Sequence, residues 1–240
     1  MKRILVIVPA FNEGGSIRQT LEEIKSAPFP LDVVVVDDGS RDETRREALS
    51  SGVDVVSLPF NLGIGAAVQT GLVYARHHSY DVAVRVDGDG QHDVHFLEPL
   101  LRPVLDQEAD LVIGSRFLPP FLGYRSSFIR RIGILFFANL ISGMIHARIT
   151  DPTSGFQAFG RKAIQLFSRS YPCDFPEPES IVVAQKVGLR VREVPVQMRK
   201  RAAGRSSIRY LITLYYMIKV TFAILIYMLK KNREGGAGER

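Results

Sequence analysis

The chain has 240 residues, 46% of them hydrophobic, a net charge of +6 and a single cysteine, Cys173. Such a chain can bury one sizeable α/β domain, or a domain with an appendage, and the lone cysteine excludes an intrachain disulfide and fits a reducing compartment. The charge is uneven: residues 1–120 hold 11 Lys/Arg against 18 Asp/Glu, residues 121–240 hold 20 against 7, so the second half is expected to meet an anionic partner such as phosphate, anionic lipid or nucleic acid.

The chain opens on Met1-Lys2-Arg3 and an apolar run, a faint likeness to a signal peptide. Pro9 and Asn12-Glu13-Gly14-Gly15 cut the run short, so residues 2–9 are read as a buried strand. Residues 16–26 place Ile17, Leu21 and Ile24 on one helical face. Residues 31–37 form a β-branched, unbroken apolar run, as a central parallel strand does. Ser40-Arg41-Asp42-Glu43 has the pattern of a capping box opening a second helix. Strands follow at 53–58, 80–86 and 109–114, alternating with helices at 64–76 and 94–107. That alternation predicts a mostly parallel sheet covered on both faces.

The second half begins with a largely apolar helix over 128–147 that starts on Arg130-Arg131. D-P-T-S-G-F (151–156) is a turn into a short strand, 178–188 a helix and 189–196 a strand. Residues 199–207 read as a basic loop, 208–229 as an apolar helix, and 230–240 as a disordered tail. The predicted organisation is therefore a domain over 1–207, an apolar helix over 208–229 and the tail. The domain divides into a donor half (1–114) and an acceptor half (115–207).

In parallel sheets ligands bind beyond the carboxyl ends of the strands. Polar motifs stand at four such ends: Asp37-Asp38, Asn61, Asp87-x-Asp89 and Ser115-Arg116. Asp87 and Asp89, with Gln91 beside them, suit a hard cation such as Mg²⁺ or Mn²⁺ that completes its shell with substrate phosphates; a solvated, capped turn is the alternative. Asp37 and Asp38 suit ribose hydroxyls or a base, or a helix cap. The glycines of N-L-G-I-G (61–65) follow the third strand, whereas a dinucleotide fingerprint belongs to the first βα turn; here they would let a helix start pass close to a nucleotide. His77, His78, His95 and His146 show no ligand spacing.

P-A-F-N-E (9–13), V-V-D-D-G-S (35–40), N-L-G-x-G-x-A (61–67), D-G-D-G-Q-H-D (87–93), G-S-R-F (114–117) and D-P-T-S-G-F (151–156) occur in the order found in family 2 glycosyltransferases of the GT-A fold. Together with E-V-P-V and G-R-S-S (193–207), they resemble the polyprenyl-phosphate sugar transferases of the dolichol-phosphate mannose synthase type. The resemblance covers roughly residues 2 to 210. It implies that Pro9, Phe11, Glu13, Asp37, Asp38, Asn61, Gly63, Gly65 and Asp87 hold the nucleotide. Asp87, Asp89 and Gln91 would hold Mg²⁺ or Mn²⁺ and the diphosphate. Arg116, Arg130, Arg201, Arg205 and Ser206 would line the phosphates, with Asp151 and Ser154 shaping the acceptor site. Asp89 and Arg116 would carry the chemistry. Glu179, with Glu177 as its neighbour, best matches the position of the acid that serves as base in relatives with hydroxyl acceptors; a helix start favouring acids is the plainer account.

The implied reaction is inverting, metal-dependent transfer from a UDP- or GDP-linked sugar to a polyprenyl phosphate at the cytoplasmic face of the membrane. Nucleic acid drops out as a partner. Residues 211–229 are long enough to span a bilayer, but Lys219 near their middle costs roughly 2.5–3.5 kcal/mol there. Helices 128–147 and 208–229 are therefore expected to lie at the membrane surface, flanked by Arg130-Arg131 and Lys230-Lys231. A homo-oligomer or a small membrane-protein partner would bury the same apolar faces. A hydroxyl acceptor in a glycan and a catalytically silent nucleotide-binding subunit are the competing readings.

Overall fold

The computed structural model describes residues 2–120, 128–145, 148–199 and Lys219. In chain order the elements are β1 (Ile4–Ala10), α1 (Ile17–Lys25), β2 (Asp32–Asp37), α2 (Thr44–Ser50), β3 (Asp54–Ser57), α3 (Ile64–His77) and β4 (Val82–Arg85). There follow a 3₁₀ turn (Val94–Phe96), α4 (Leu97–Leu105), β5 (Leu111–Ser115), α5 (Phe128–Ile145), β6 (Gln157–Gly160), α6 (Arg161–Arg169), α7 (Pro176–Lys186) and β7 (Val191–Pro195). The strands form one sheet in the order β3-β2-β1-β4-β6-β5-β7. Six strands run the same way, and β6 runs antiparallel between β4 and β5.

Alternation along β1 explains the two layers. Ile4, Val6 and Val8 face a core shared with Ile17, Leu21 and Ile24 of α1 and Leu97, Leu100 and Leu101 of α4. Leu5 and Ile7 face the opposite core, with Ala67, Val68 and Leu72 of α3 and Ile164 and Phe167 of α6. A strand buried on both faces has no polar alternation to show, hence its unbroken apolar sequence. Helix α3 lies so close to β1 that a Cβ at Gly71 would stand 2.3 Å from Ile7 Cγ2.

The structure adds a strand order and changes some expectations. The short strand after the 151–156 turn, β6, inserts between β4 and β5 and brings that turn to the carboxyl edge. Helix α6 was not expected, although Ala163, Ile164 and Phe167 recur at helical spacing on its buried face. The predicted helix over 94–107 splits into the 3₁₀ turn and α4. The capping box does not form: Ser40 Oγ accepts instead from the Asn12 N–H at 3.0 Å. Asp42 instead closes the turn before α2, one carboxylate oxygen taking the Thr44 N–H and the other tying in the Gly14 N–H, each at 3.0 Å.

Among the described residues no helix is long and apolar enough to cross a membrane. Helix α5 buries Phe137 and Ile141 against Phe175, Ile181 and Val182 at the α7 end of the molecule, and leaves Leu135 and Phe136 about half exposed. The apolar helix and tail expected over 208–229 and 230–240 lie outside the described residues apart from Lys219. Its ammonium pairs with Asp174 at 3.2 Å and lies 5.3 Å from the centroid of the Phe175 ring.

Candidate active site

Because six strands share a direction, the ends of β1, β2, β3, β4, β5 and β7 meet at one edge of the sheet, joined there by the start of β6. The N-L-G loop is built first. Asp38, buried just beyond β2, accepts the Leu62 N–H (2.8 Å) on one carboxylate oxygen and the Gly63 N–H (2.9 Å) on the other. It anchors the loop from within. Gly39 takes a left-handed backbone conformation, and a Cβ there would meet the Phe60 backbone at 2.6 Å. Asp37 accepts the Ser40 N–H at 3.0 Å and closes the same turn. Around this frame Phe11, Phe60, Asn61 and Leu62 are exposed at the rim.

The structure places the other residues expected at the nucleotide as follows. Pro9 is buried inside β1, paired with Val36, and serves the sheet. Glu13 caps α1: its carbonyl accepts the N–H groups of Ser16 (3.0 Å) and Ile17 (2.9 Å). Gly65 is small because protein passes close by, since a Cβ there would stand 2.5 Å from the Pro172 carbonyl oxygen and 2.7 Å from Cys173 Cα. Gly63 has open space around it and is needed for its φ of 91°.

The D-G-D-G-Q-H-D turn follows β4. Asp87 is bound to Arg85, its Oδ1 accepting from Nε at 2.8 Å and its Oδ2 from an Nη at 3.4 Å. The other Nη of Arg85 donates to Glu177 at 2.7 Å. Burial works against the Arg85 charge, but Asp87 and Glu177 outweigh it and raise its pKa. Asp89 is buried and accepts the Gln91 N–H on Oδ1 at 3.0 Å. His92 stacks on Phe156 (centroids 4.7 Å apart), and its Nδ1 accepts the Asp87 N–H at 3.0 Å. Burial first, with Arg85 and Arg116 adding to it against Asp87, lowers its pKa to about 4, so the ring is neutral at pH 7.

Arg116, expected at a phosphate, is spent inside the protein. Its Nε and one Nη grip the two oxygens of Asp151 at 2.6 and 2.7 Å, and that Nη also donates to Thr153 Oγ1 at 2.9 Å. Both side chains are buried. Glu193 holds the other end of the turn, accepting the N–H groups of Thr150 and Asp151, each at 2.8 Å; burial, more than these bonds offset, raises its pKa. Ser154 is buried inside the turn and receives the Phe156 N–H at 3.4 Å. Arg116 and Asp151 are thus paired inside the protein, with Ser154 buried in the same turn. Arg130 lies in α5 with its side chain outside the described residues, and Arg201, Arg205 and Ser206 also lie outside them.

Glu179 and Glu177 part company. Two residues on an α-helix are about 200° apart, so Glu177 reaches Arg85 while Glu179 faces the charges of Asp174 and Lys219. Burial, then Asp174, raises the Glu179 pKa to about 7 against the pull of Lys219. Arg85 and the holding role of Glu193 escaped the sequence reading, and Glu177 entered it only as the neighbour of Glu179. An arginine inside an otherwise apolar strand was the available signal for the first, since such a charge needs a buried partner.

Among the described residues the edge is thus acidic: Asp37, Asp38 and Asp89 stand there, while Asp87 and the buried arginines are paired within the protein. Among the described residues no group of three or more His, Cys, Asp or Glu forms a ready cage for a metal ion. The donor set still fits a hard cation: buried Asp89 and neighbouring Gln91 offer oxygens at the strand end, and Mg²⁺ or Mn²⁺ takes most of its shell from phosphates and water. Asp87, bound by both oxygens to Arg85, fits that set less well.

Comparison with known proteins adds to this geometry. A family model described as glycosyl transferase family 2 matches residues 5–167. An uncharacterized protein of Methanocaldococcus jannaschii is 35% identical over 199 residues, 81% of this chain and 80% of that protein. An undecaprenyl-phosphate mannosyltransferase of Micrococcus luteus is 30% identical over 227 residues, 85% of this chain and 87% of that one. Among solved structures, glucosyl-3-phosphoglycerate synthase from Mycobacterium tuberculosis, in complex with Mn²⁺, UDP-glucose and phosphoglyceric acid, superposes with a TM-score of 0.71 at 24% identity, covering 98% of this chain and 82% of that one.

Proposed function

This chain belongs to glycosyl transferase family 2, and from that premise we propose that it moves a sugar from a nucleotide-diphosphate sugar to a polyprenyl phosphate, with a divalent cation, at the cytoplasmic membrane face. The observation that carries the donor side is the acidic edge: the Asp38-anchored loop and the Asp89–Gln91 turn stand together where strands end. A nucleotide diphosphate brought against Asp37, Asp38 and Asp89 needs a counter-charge, and among the described residues the nearby arginines are paired with Asp87, Glu177 and Asp151. When bound, Mg²⁺ or Mn²⁺ supplies that charge and stabilises the leaving diphosphate as a Lewis acid; Asp89 and Gln91 would hold it. Residues 1–114 serve the donor and 115–207 the acceptor.

The acceptor reading rests on relatives such as the Micrococcus luteus mannosyltransferase, similar over most of both chains. In the transfer, a phosphate oxygen of the lipid forms a bond to the anomeric carbon as the bond to the diphosphate oxygen breaks. Nucleoside diphosphate leaves and the configuration inverts. A phosphate monoester is largely ionised at pH 7, so no base is required and Glu179 is left out of the chemistry. The test is turnover by the purified chain, with Mn²⁺ and then Mg²⁺, on a panel of UDP- and GDP-sugars with polyprenyl phosphate in detergent. A glycolipid whose sugar is released by mild acid is expected; nucleotide binding without transfer to any polyprenyl phosphate overturns the acceptor assignment.

A hydroxyl acceptor is the second reading, and the Glu179 pKa of about 7 favours it, since a general base works best near the operating pH. In that case Glu179→Gln abolishes transfer and spares nucleotide binding; unchanged turnover removes the reading.

A further inference from the structure

Arg85 is a fully desolvated cation at the junction of three chain segments. Its guanidinium spans two carboxylates, Asp87 at the end of β4 and Glu177 in the first turn of α7, with the bonds given above. The third segment is the D-P-T-S-G turn. A Cβ on Gly155 would stand 2.7 Å from an Arg85 Nη and 3.2 Å from Asp87 Oδ2, so only glycine lets the turn lie against the pair. The same turn continues into Phe156, whose ring carries His92, and His92 holds the backbone N–H of Asp87. Asp87 is thus fixed through its side chain from α7 and through its backbone from the 151–156 turn. Both of these lie in the half of the chain assigned to the acceptor.

We propose that Arg85 is a positioning residue that couples α7 and the D-P-T-S-G turn to the metal-holding turn Asp87–Gln91 through the Asp87 carboxylate, with Glu177 setting where the guanidinium stands. The inference rests on the donor site described under the proposed function and extends it to residues outside that site. Its physical basis is the fork. A planar guanidinium bonds two carboxylates in fixed directions, whereas a lysine at the same place keeps the charge but offers a single nitrogen that cannot reach both. Asp87 stands two residues before Asp89 in the same turn, so a change in its orientation would be felt where Asp89 and Gln91 would hold the ion. Residues that orient a metal site from behind commonly alter metal affinity by roughly 10- to 100-fold when replaced.

The test is calorimetric titration of the full chain with UDP and with GDP, each with and without Mn²⁺, for the wild type, Arg85→Lys and Glu177→Gln, alongside thermal melts. In the wild type Mn²⁺ is expected to tighten binding of one nucleotide. In Arg85→Lys that enhancement falls by roughly 10-fold or more while Mn²⁺-free affinity is kept. Glu177→Gln falls in the same direction by a smaller step, because its amide oxygen still accepts from the Arg85 Nη. A purely structural Arg85 lowers the melting temperature and leaves the enhancement intact, which overturns the coupling. Should Arg85→Lys fail to fold, an undiminished enhancement in Glu177→Gln overturns it equally. If the wild type binds neither nucleotide with Mn²⁺, the donor reading falls and the coupling with it; if the wild type binds and both variants match it, the coupling alone falls.

Discussion

Replacing Asp151 by alanine separates the scaffold role of Arg116 from the chemical role that its motif implies. The Asp151 carboxylate accepts from Arg116 Nε at 2.6 Å, Nη at 2.7 Å and the backbone N–H at 3.1 Å, with both side chains almost wholly buried. Removing it strands a guanidinium in a site of low polarity, and breaking a buried pair in this way costs about 3–5 kcal/mol. Against a total stability of about 5–15 kcal/mol, that is a large fraction. For a chain of this length it corresponds to a melting temperature lower by roughly 6–20 °C. Urea unfolding followed by circular dichroism measures it, with the m-value showing whether the transition stays cooperative. Arg116→Met placed in the Asp151→Ala background should restore much of the loss, because the stranded charge has gone. Asp151→Ala that unfolds within about 1 kcal/mol of the wild type would refute the scaffold account, since a charge so enclosed cannot be cheap.

Four further outcomes are expected. Gly65→Ala pushes a methyl against the backbone of Pro172 and Cys173 and lowers stability by about 1–3 kcal/mol in the same urea assay. Asp38→Asn can accept at one oxygen only, so either Leu62 or Gly63 loses its partner; a cost of about 1–3 kcal/mol is expected, with weaker nucleotide binding by calorimetry. His92 titrates at about 4 in the folded chain, below the ordinary 6.5, so the unfolded chain binds its proton first. Stability is therefore lost as pH falls through 6.5 towards 4, and the ring signals in NMR should stay those of neutral imidazole down to pH 5. Glu179 is shifted the other way, to about 7 from 4.5, so its burial destabilises progressively as pH rises from 4.5 through 7. Glu179→Gln should melt like the wild type at pH 4 and above it at pH 8.

Legibility differed by physical cause. The first half could be read because its strands are apolar runs and α1 repeats at helical spacing, so local pattern and burial agree. The insertion of β6 between β4 and β5 could not, because strand order depends on which edges pair, and no local pattern encodes that. At the site, motif and position identified which residues gather: Asp38, Asp87, Asp89, Arg116 and Asp151 all stand at one edge of the sheet. What they do there was not legible. Asp38 could as well have faced a ligand as the Leu62 and Gly63 amides, and Arg116 a phosphate as Asp151. Such choices are decided by partners more than twenty residues away.

The pairing of those arginines changes what the cleft asks of its substrate. Had Arg85 and Arg116 faced outward, a diphosphate would have met fixed positive charge, and a metal ion would have been secondary. Each is instead enclosed with acids, Arg85 with Asp87 and Glu177 and Arg116 with Asp151. A buried guanidinium held by a carboxylate fork contributes little field at a distance, since the pair is close to neutral from outside. The described edge therefore presents net acid to an acidic ligand. Under the proposed function, an exchangeable divalent ion held by Asp89 and Gln91 would resolve that conflict by supplying the counter-charge that the donor needs. Binding of UDP or GDP should consequently weaken steeply when EDTA is added and recover with Mn²⁺; affinity indifferent to EDTA would mean that the counter-charge comes from the protein.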